Sequence, residues 1–169
     1  MLGDSITEGL DWHEQFPEVK VFNRGIGGDT SKGVLNRLGE VIGRHPRIVF
    51  LMIGVNDLLS DVPVATVDAN IRSIVAALVQ KKIHVVLQKT IYANRQYWPE
   101  INNRINELNR SLSDLCTTSE VVCVDLNRVL AEGGALSRRF SWDGLHLNAA
   151  GYLAWKNEIE AEIKELPTQ

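Results

Sequence analysis

The 169-residue chain is 44% hydrophobic and 23% charged, an ordinary balance for one domain spanning residues 1–169 that buries its own core. A formal net charge of −3 offers no electrostatic footprint for nucleic acid or an anionic membrane as a partner. No apolar run approaches the ~20 residues that span a bilayer, and no secretory signal is visible, so the compartment stays open between cytoplasmic and exported.

In chain order, GDSIT (3–7) follows Met1 and Leu2, and residues from Thr7 onward read as helical. VKVF (19–22) reads as a short strand. Beyond it, Asp29 or Thr30 can cap a helix whose stripe is Val34, Leu35, Leu38, Val41 and Ile42. RIVFLMIG (47–54) is a continuous apolar run of strand length, as expected for a strand covered on both faces. Thr66 can cap a helix that buries Val67, Ile71, Ile74, Val75 and Leu78. IHVVLQ (83–88) is the next strand. Ile101, Ile105, Leu108, Leu112 and Leu115 mark a further helix, with Pro99 near its start. VVCV (121–124) is a strand, and Asn148 can cap a last helix carrying Tyr152, Leu153, Trp155, Ile159 and Ile163. Alternating strands and helices imply an α/β fold with a parallel sheet of about five strands and helices on both faces.

Cys116 and Cys123 match no zinc pattern. Two free thiols are the plainer reading; a disulfide between the helix and the strand in an exported enzyme is the alternative. No cluster of His and carboxylates has metal-ligand spacing. NRGIGGDTSKG (23–33) fits neither the dinucleotide nor the P-loop fingerprint, because Thr30 stands where a glycine belongs and Lys32 precedes Gly33.

In parallel sheets, sites lie beyond the carboxyl ends of the strands. Collected there are GDSIT (3–7), NRGIGGDTS (23–31) and GVND (54–57), with SWDGLHLN (141–148) ahead of the last helix. Ser5 is the candidate nucleophile and needs a base within reach. His146 is the candidate base, and Asp143, three residues earlier, can accept its N–H and fix its tautomer. Ser5 N–H, Gly28 N–H and the Asn56 amide can receive the oxyanion of an acyl transfer. Each has a bland counterpart: Ser5 as a helix cap, DGLH as a capped turn, and Asn56-Asp57 as an Asx turn.

Together the four segments resemble the SGNH, or GDSL-type, esterase and acylhydrolase family. GDSIT matches its first block with Ser5, GGDTS its second with Gly28, GVND its third with Asn56, and DGLH its last with Asp143 and His146. The resemblance implies a flavodoxin-like three-layer α/β/α sandwich and a Ser-His-Asp triad that works through an acyl-enzyme without metal or organic cofactor. Family members usually carry a full apolar strand before GDS. Here only Met1 and Leu2 stand there, so upstream residues of the natural protein are expected to be missing; a true start at Met1, with the sheet completed otherwise, is the alternative.

No long insertion offers a lid or acyl tunnel, which favours short acyl groups. TIYANRQYWPEIN (90–102) should lie beside the site, and its Tyr92, Asn94, Tyr97 and Trp98 suit a sugar, although each of the three aromatics taken singly is expected to cover a helix end. With DGLHLNAAGY (143–152) it resembles the branch of carbohydrate and sialate O-acetylesterases and the relatives of platelet-activating-factor acetylhydrolase. The reading is an esterase of short acyl groups, acetyl first, on a carbohydrate such as sialic acid or xylan. Asp4, Asn94 and Trp142 are its substrate-binding candidates. Rival readings are a lysophospholipase or thioesterase, or a non-catalytic carbohydrate-binding relative.

Overall fold

The computed structural model describes residues 1–94, 96, 98, 100–118 and 121–164. Its elements run β1 (Leu2–Gly3), α1 (Ser5–Glu8), α2 (Trp12–Gln15), β2 (Arg24–Gly25), α3 (Ser31–Gly43), β3 (Ile48–Met52), α4 (Val55–Leu59), α5 (Val64–Gln80) and β4 (His84–Gln88). They continue with α6 (Ile101–Thr118), β5 (Val122–Val124), α7 (Asn127–Leu130), β6 (Ala131–Glu132), β7 (Ala135–Leu136) and α8 (Ala149–Lys164). Among the described residues no helix is long and apolar enough to cross a membrane.

Five parallel strands form one sheet in the order β2-β1-β3-β4-β5, and β6 and β7 make a separate antiparallel pair. Val49, Phe50, Leu51 and Met52 are all buried although successive side chains point to opposite faces, so both faces of β3 are covered. α3, α5 and α6 pack side by side as one outer layer. The other layer is anchored by α8. Its Trp155 indole donates to Gln88 Oε1 (2.6 Å) and packs edge-on against Trp12, with ring centroids 4.8 Å apart. The expected three-layer α/β/α sandwich is therefore the fold.

The helix faces follow the apolar stripes. α5 buries Val67, Ile71, Ile74, Val75 and Leu78, and α6 buries Ile101, Ile105, Leu108, Leu112 and Leu115. α5 starts at Val64, ahead of Thr66, because Pro63 (φ −55°) stands at its cap. A proline has the fixed φ of a helix start and lacks the N–H that such a start leaves unpaired. The expected caps Thr30 and Asn148 accept from Gly33 N and Gly151 N at 3.1 Å each. Leu153 departs from its expected stripe and is 57% exposed. Pro99 lies outside the described residues.

VKVF (19–22) is not a strand; the paired residues are Arg24 and Gly25. A strand extends only as far as its partner, and β1 pairs Leu2 with Arg24 and Gly3 with Gly25. Phe22 O still accepts from the Met1 nitrogen at 2.9 Å, just outside the ladder. On its other side β1 meets Leu51 and Met52, the carboxyl end of β3. Gly3 is squeezed there: a Cβ on it would overlap the Met52 carbonyl and the Thr7 hydroxyl.

Cys116, near the end of α6, and Cys123 in β5 form a disulfide with Cα atoms 6.0 Å apart. The free-thiol reading gives way to its alternative. The end of α6 and the strand β5 lie close enough to bring two cysteines seven positions apart within bridging distance.

Candidate active site

In this strand order the chain reverses direction between β1 and β3, and ligands of open α/β sheets bind in the crevice at such a point. Ser5 follows β1 and opens α1, and Asn56 lies in the first turn of α4, directly after β3. Helical backbone begins at Ser5, ahead of the expected Thr7. Asp4 is the cap, accepting from Ile6 N at 3.0 Å. Ser5 therefore stands inside the helix's first turn with its hydroxyl free for another partner.

That partner is His146. Ser5 Oγ lies 2.9 Å from His146 Nε2, across 141 positions of sequence. His146 Nδ1 lies 2.7 Å from Asp143 Oδ2. The second carboxylate oxygen, Oδ1, accepts from the backbone N–H of Leu145 (2.9 Å) and His146 (2.8 Å) and from Ser141 Oγ (3.2 Å). Burial would raise the Asp143 pKa, but the imidazole hydrogen bond and the two N–H groups outweigh it and hold the carboxyl at about 2. Asp143 is thus an anion throughout the neutral range, and it orients Nδ1–H so that Nε2 faces the serine.

The third segment joins through hydrogen bonds. Gly28 has φ +74°, and Asp29 N donates to Ile26 O at 3.1 Å. Residues 26–29 therefore form a tight turn whose third position favours glycine. Asn56 Nδ2 donates one hydrogen to Asp29 O (2.9 Å), which ties the first turn of α4 to the Gly28 turn. An amide has a second N–H, and it stays available for a substrate oxygen.

The three substrate-binding candidates divide. Asp4 is 1% exposed and lies beneath α1 as its cap, so it offers no surface to a ligand. Asn94 N donates to Gly144 O at 2.7 Å, which places the 90–94 segment beside the Asp143 loop as expected. Its side chain is occupied, however: Nδ2 donates to Leu136 O (3.0 Å) and Oδ1 accepts from Gln96 N (3.0 Å). Trp142 is 84% exposed and packs under nothing, next to Asp143. Tyr92 donates its hydroxyl to Asn106 of α6, and Trp98 packs against the core; both cover structure. Tyr97 lies outside the described residues.

Sequence reading missed two supports. Ser141 is buried and holds the Asp143 turn, donating to Asp143 Oδ1 and accepting from Gly144 N at 2.8 Å. A serine two residues before a loop aspartate is a turn signal that could have revealed it. Asp57 is also buried and accepts from Ser31 N (2.8 Å) and Ser31 Oγ (2.7 Å), pinning α3 to α4. No local pattern announces that contact. Among the described residues no group of His, Cys, Asp and Glu could hold a metal ion.

A model of the GDSL-like lipase/acylhydrolase family matches residues 1–154. The chain belongs to that family. The GDSL-like architecture recurs in the crystal structure of the lipase/acylhydrolase from Enterococcus faecalis. The TM-score is 0.85 at 29% identity, over 99% of this chain and 96% of that one. The N-acylneuraminate cytidylyltransferase of Streptococcus agalactiae is 26% identical over 99% of this chain, which spans 39% of that protein's length. The platelet-activating factor acetylhydrolase IB subunit alpha1 of Bos taurus is 28% identical over 99% of this chain and 75% of its own.

Proposed function

We propose that the protein is a serine esterase that hydrolyses short acyl esters, acetyl esters first, carried on a carbohydrate such as sialic acid or xylan. The observation that carries this reading is the unbroken relay Ser5–His146–Asp143, with contacts of 2.9 and 2.7 Å. Ser5 Oγ attacks the ester carbonyl carbon while His146 Nε2 takes its proton. The carbonyl oxygen becomes an oxyanion facing Ser5 N–H, Gly28 N–H and the free N–H of Asn56. The intermediate collapses, the C–O bond to the leaving alcohol breaks, and His146 returns its proton to that alcohol. Water then attacks the acyl-serine with His146 again as base, releasing the acid and Ser5.

Short acyl groups are favoured by space. Among the described residues no long insertion stands over Ser5 to roof a long acyl chain. The side chains of Asp143 and His146 are 54% and 46% exposed, so the leaving group meets an open surface that a sugar can occupy. Trp142 supplies an apolar face beside it for a sugar ring. An acetyl ester agrees with the name of the acetylhydrolase relative, and a sialic acid with that of the cytidylyltransferase relative.

The test is fluorophosphonate labelling and hydrolysis of p-nitrophenyl esters of increasing chain length, each compared with Ser5→Ala. O-acetylated sialic acid and acetylated xylan follow as natural candidates. Labelling and turnover that need Ser5 and favour acetate support the proposal. A preference for long chains sinks the acetyl reading, and an unlabelled protein with no turnover sinks the enzyme reading.

A further inference from the structure

We infer that Arg37 is the positioning residue of the oxyanion hole, its guanidinium clamping the Gly28 turn to the strand ends that deliver Ser5. Arg37 lies on α3, eight residues beyond Asp29. Its Nε donates to Asp29 Oδ2 at 2.8 Å. Its Nη2 donates to two backbone carbonyls, Arg24 O at 2.9 Å and Gly3 O at 3.2 Å. One planar group thus joins the end of β1, the first residue of β2 and the turn between β2 and α3. The side chains of Arg37 and Asp29 are only 19% and 11% exposed, so the pair is largely shielded from solvent and holds its geometry.

The clamp acts on catalytic atoms through short links. Gly3 is two residues before Ser5 in the turn out of β1, and its carbonyl also accepts from Ile26 N (3.2 Å), the first residue of the Gly28 turn. At the turn's other end, Asp29 O accepts the Asn56 amide (2.9 Å), so moving Asp29 moves a proposed oxyanion donor directly. Asp29 Oδ1 is engaged with Thr30 N (2.9 Å), which leaves Oδ2 for the arginine. A turn built on two adjacent glycines has little stiffness of its own. Its rigidity comes from these bonds, and donors must be fixed in advance if they are to stabilise a developing charge. Lysine cannot replace the arginine fully: it keeps the charge opposite Asp29 but has no fork to hold a carboxylate and two carbonyls together.

This inference rests on the esterase reading above, and the experiment separates the two. Hydrolysis of p-nitrophenyl acetate by the full chain is compared for the wild type, Arg37→Met, Arg37→Lys, Asn56→Ala and the double variant Arg37→Met/Asn56→Ala. Unfolding midpoints and hydrogen exchange of the 26–29 amides are recorded on the same samples. In Arg37→Met, kcat falls on the order of 10²-fold with KM nearly unchanged. The shape of the pH profile is unchanged, because the His146–Asp143 pair is untouched. In the Asn56→Ala background the same change costs clearly less, since both act on one feature. Exchange at 26–29 speeds up, and Arg37→Lys shows a smaller loss of the same kind.

A folded Arg37→Met whose kcat stays within about twofold of wild type, or losses that multiply in full in the double variant, overturns the inference. If Arg37→Met does not fold, Arg37→Lys decides it: a lower kcat at constant KM supports the clamp and a wild-type kcat refutes it. A wild-type protein without esterase activity defeats the functional reading instead. The clamp is then judged by exchange at 26–29, which must quicken in the variant.

Discussion

Asp4 invites a measurement in which the direction of the effect is informative. It is 1% exposed next to Ser5, and its carboxyl is pushed up from 3.8 to about 6. Burial is the main cause and the charge of Asp29 adds to it, while the hydrogen bond from Ile6 N and the proximity of His146 pull the other way. The folded state therefore holds this proton more tightly than the unfolded chain does. The carboxyl costs little below pH 3.8, costs more as pH rises through about 6, and levels off above that. A shift of about two units at about 1.4 kcal/mol each amounts to on the order of 3 kcal/mol. Asp4→Asn removes the charge, while its amide oxygen can still accept Ile6 N–H and keep the cap. The variant is expected to match wild type near pH 4 and to exceed its stability at pH 8 by up to about 3 kcal/mol. Urea unfolding at both pH values, compared at a common m-value, measures this. A stability difference independent of pH, or a variant weaker at pH 8, refutes the account of Asp4 as a desolvated carboxyl.

Other outcomes follow from the same geometry. Asn56→Ala should lower kcat on the order of 10²-fold with little change in KM, read by steady-state kinetics. Asp143→Asn should cost about 10³–10⁴ in kcat while the fold persists, since it removes the acceptor that sets the imidazole tautomer. With its carboxyl held at about 2, Asp143 keeps its charge from pH 5 to 8, so no change of activity in that window comes from its protonation. Protonation of the Asp143 carboxyl above pH 5, read by NMR titration, would contradict that. Reduction of the Cys116–Cys123 disulfide, which closes a loop of seven positions, should lower stability by about 2–3 kcal/mol. Urea midpoints with and without a reductant check this.

Periodicity made the helices legible. The buried faces of α5 and α6 are the apolar stripes themselves, because burying one face of a helix requires apolar residues at helical spacing. The continuous apolar runs of β3 and β4 announced a sheet covered on both sides. The candidate site was legible in a different way, as three short blocks that follow apolar runs and a fourth ahead of the last helix. What escaped was pairing at the sheet's edge and the partners of polar side chains. VKVF has the composition of a strand, yet Arg24 and Gly25 are the paired residues, because pairing depends on the neighbouring strand as well as on propensity. Asp4 and Asn94 looked like ligand contacts; Asp4 is a buried cap, and the Asn94 side chain is taken up by Leu136 O and Gln96 N.

By itself the sequence determined which groups could do the chemistry and which faces had to be buried, since residue type and spacing are local properties of the chain. Only the tertiary structure decided that Ser5 meets His146, that Cys116 meets Cys123, and that Arg37 reaches Gly3 O, Arg24 O and the Asp29 carboxylate. Such contacts depend on how separate segments are brought together, and that is settled by the packing of the whole core.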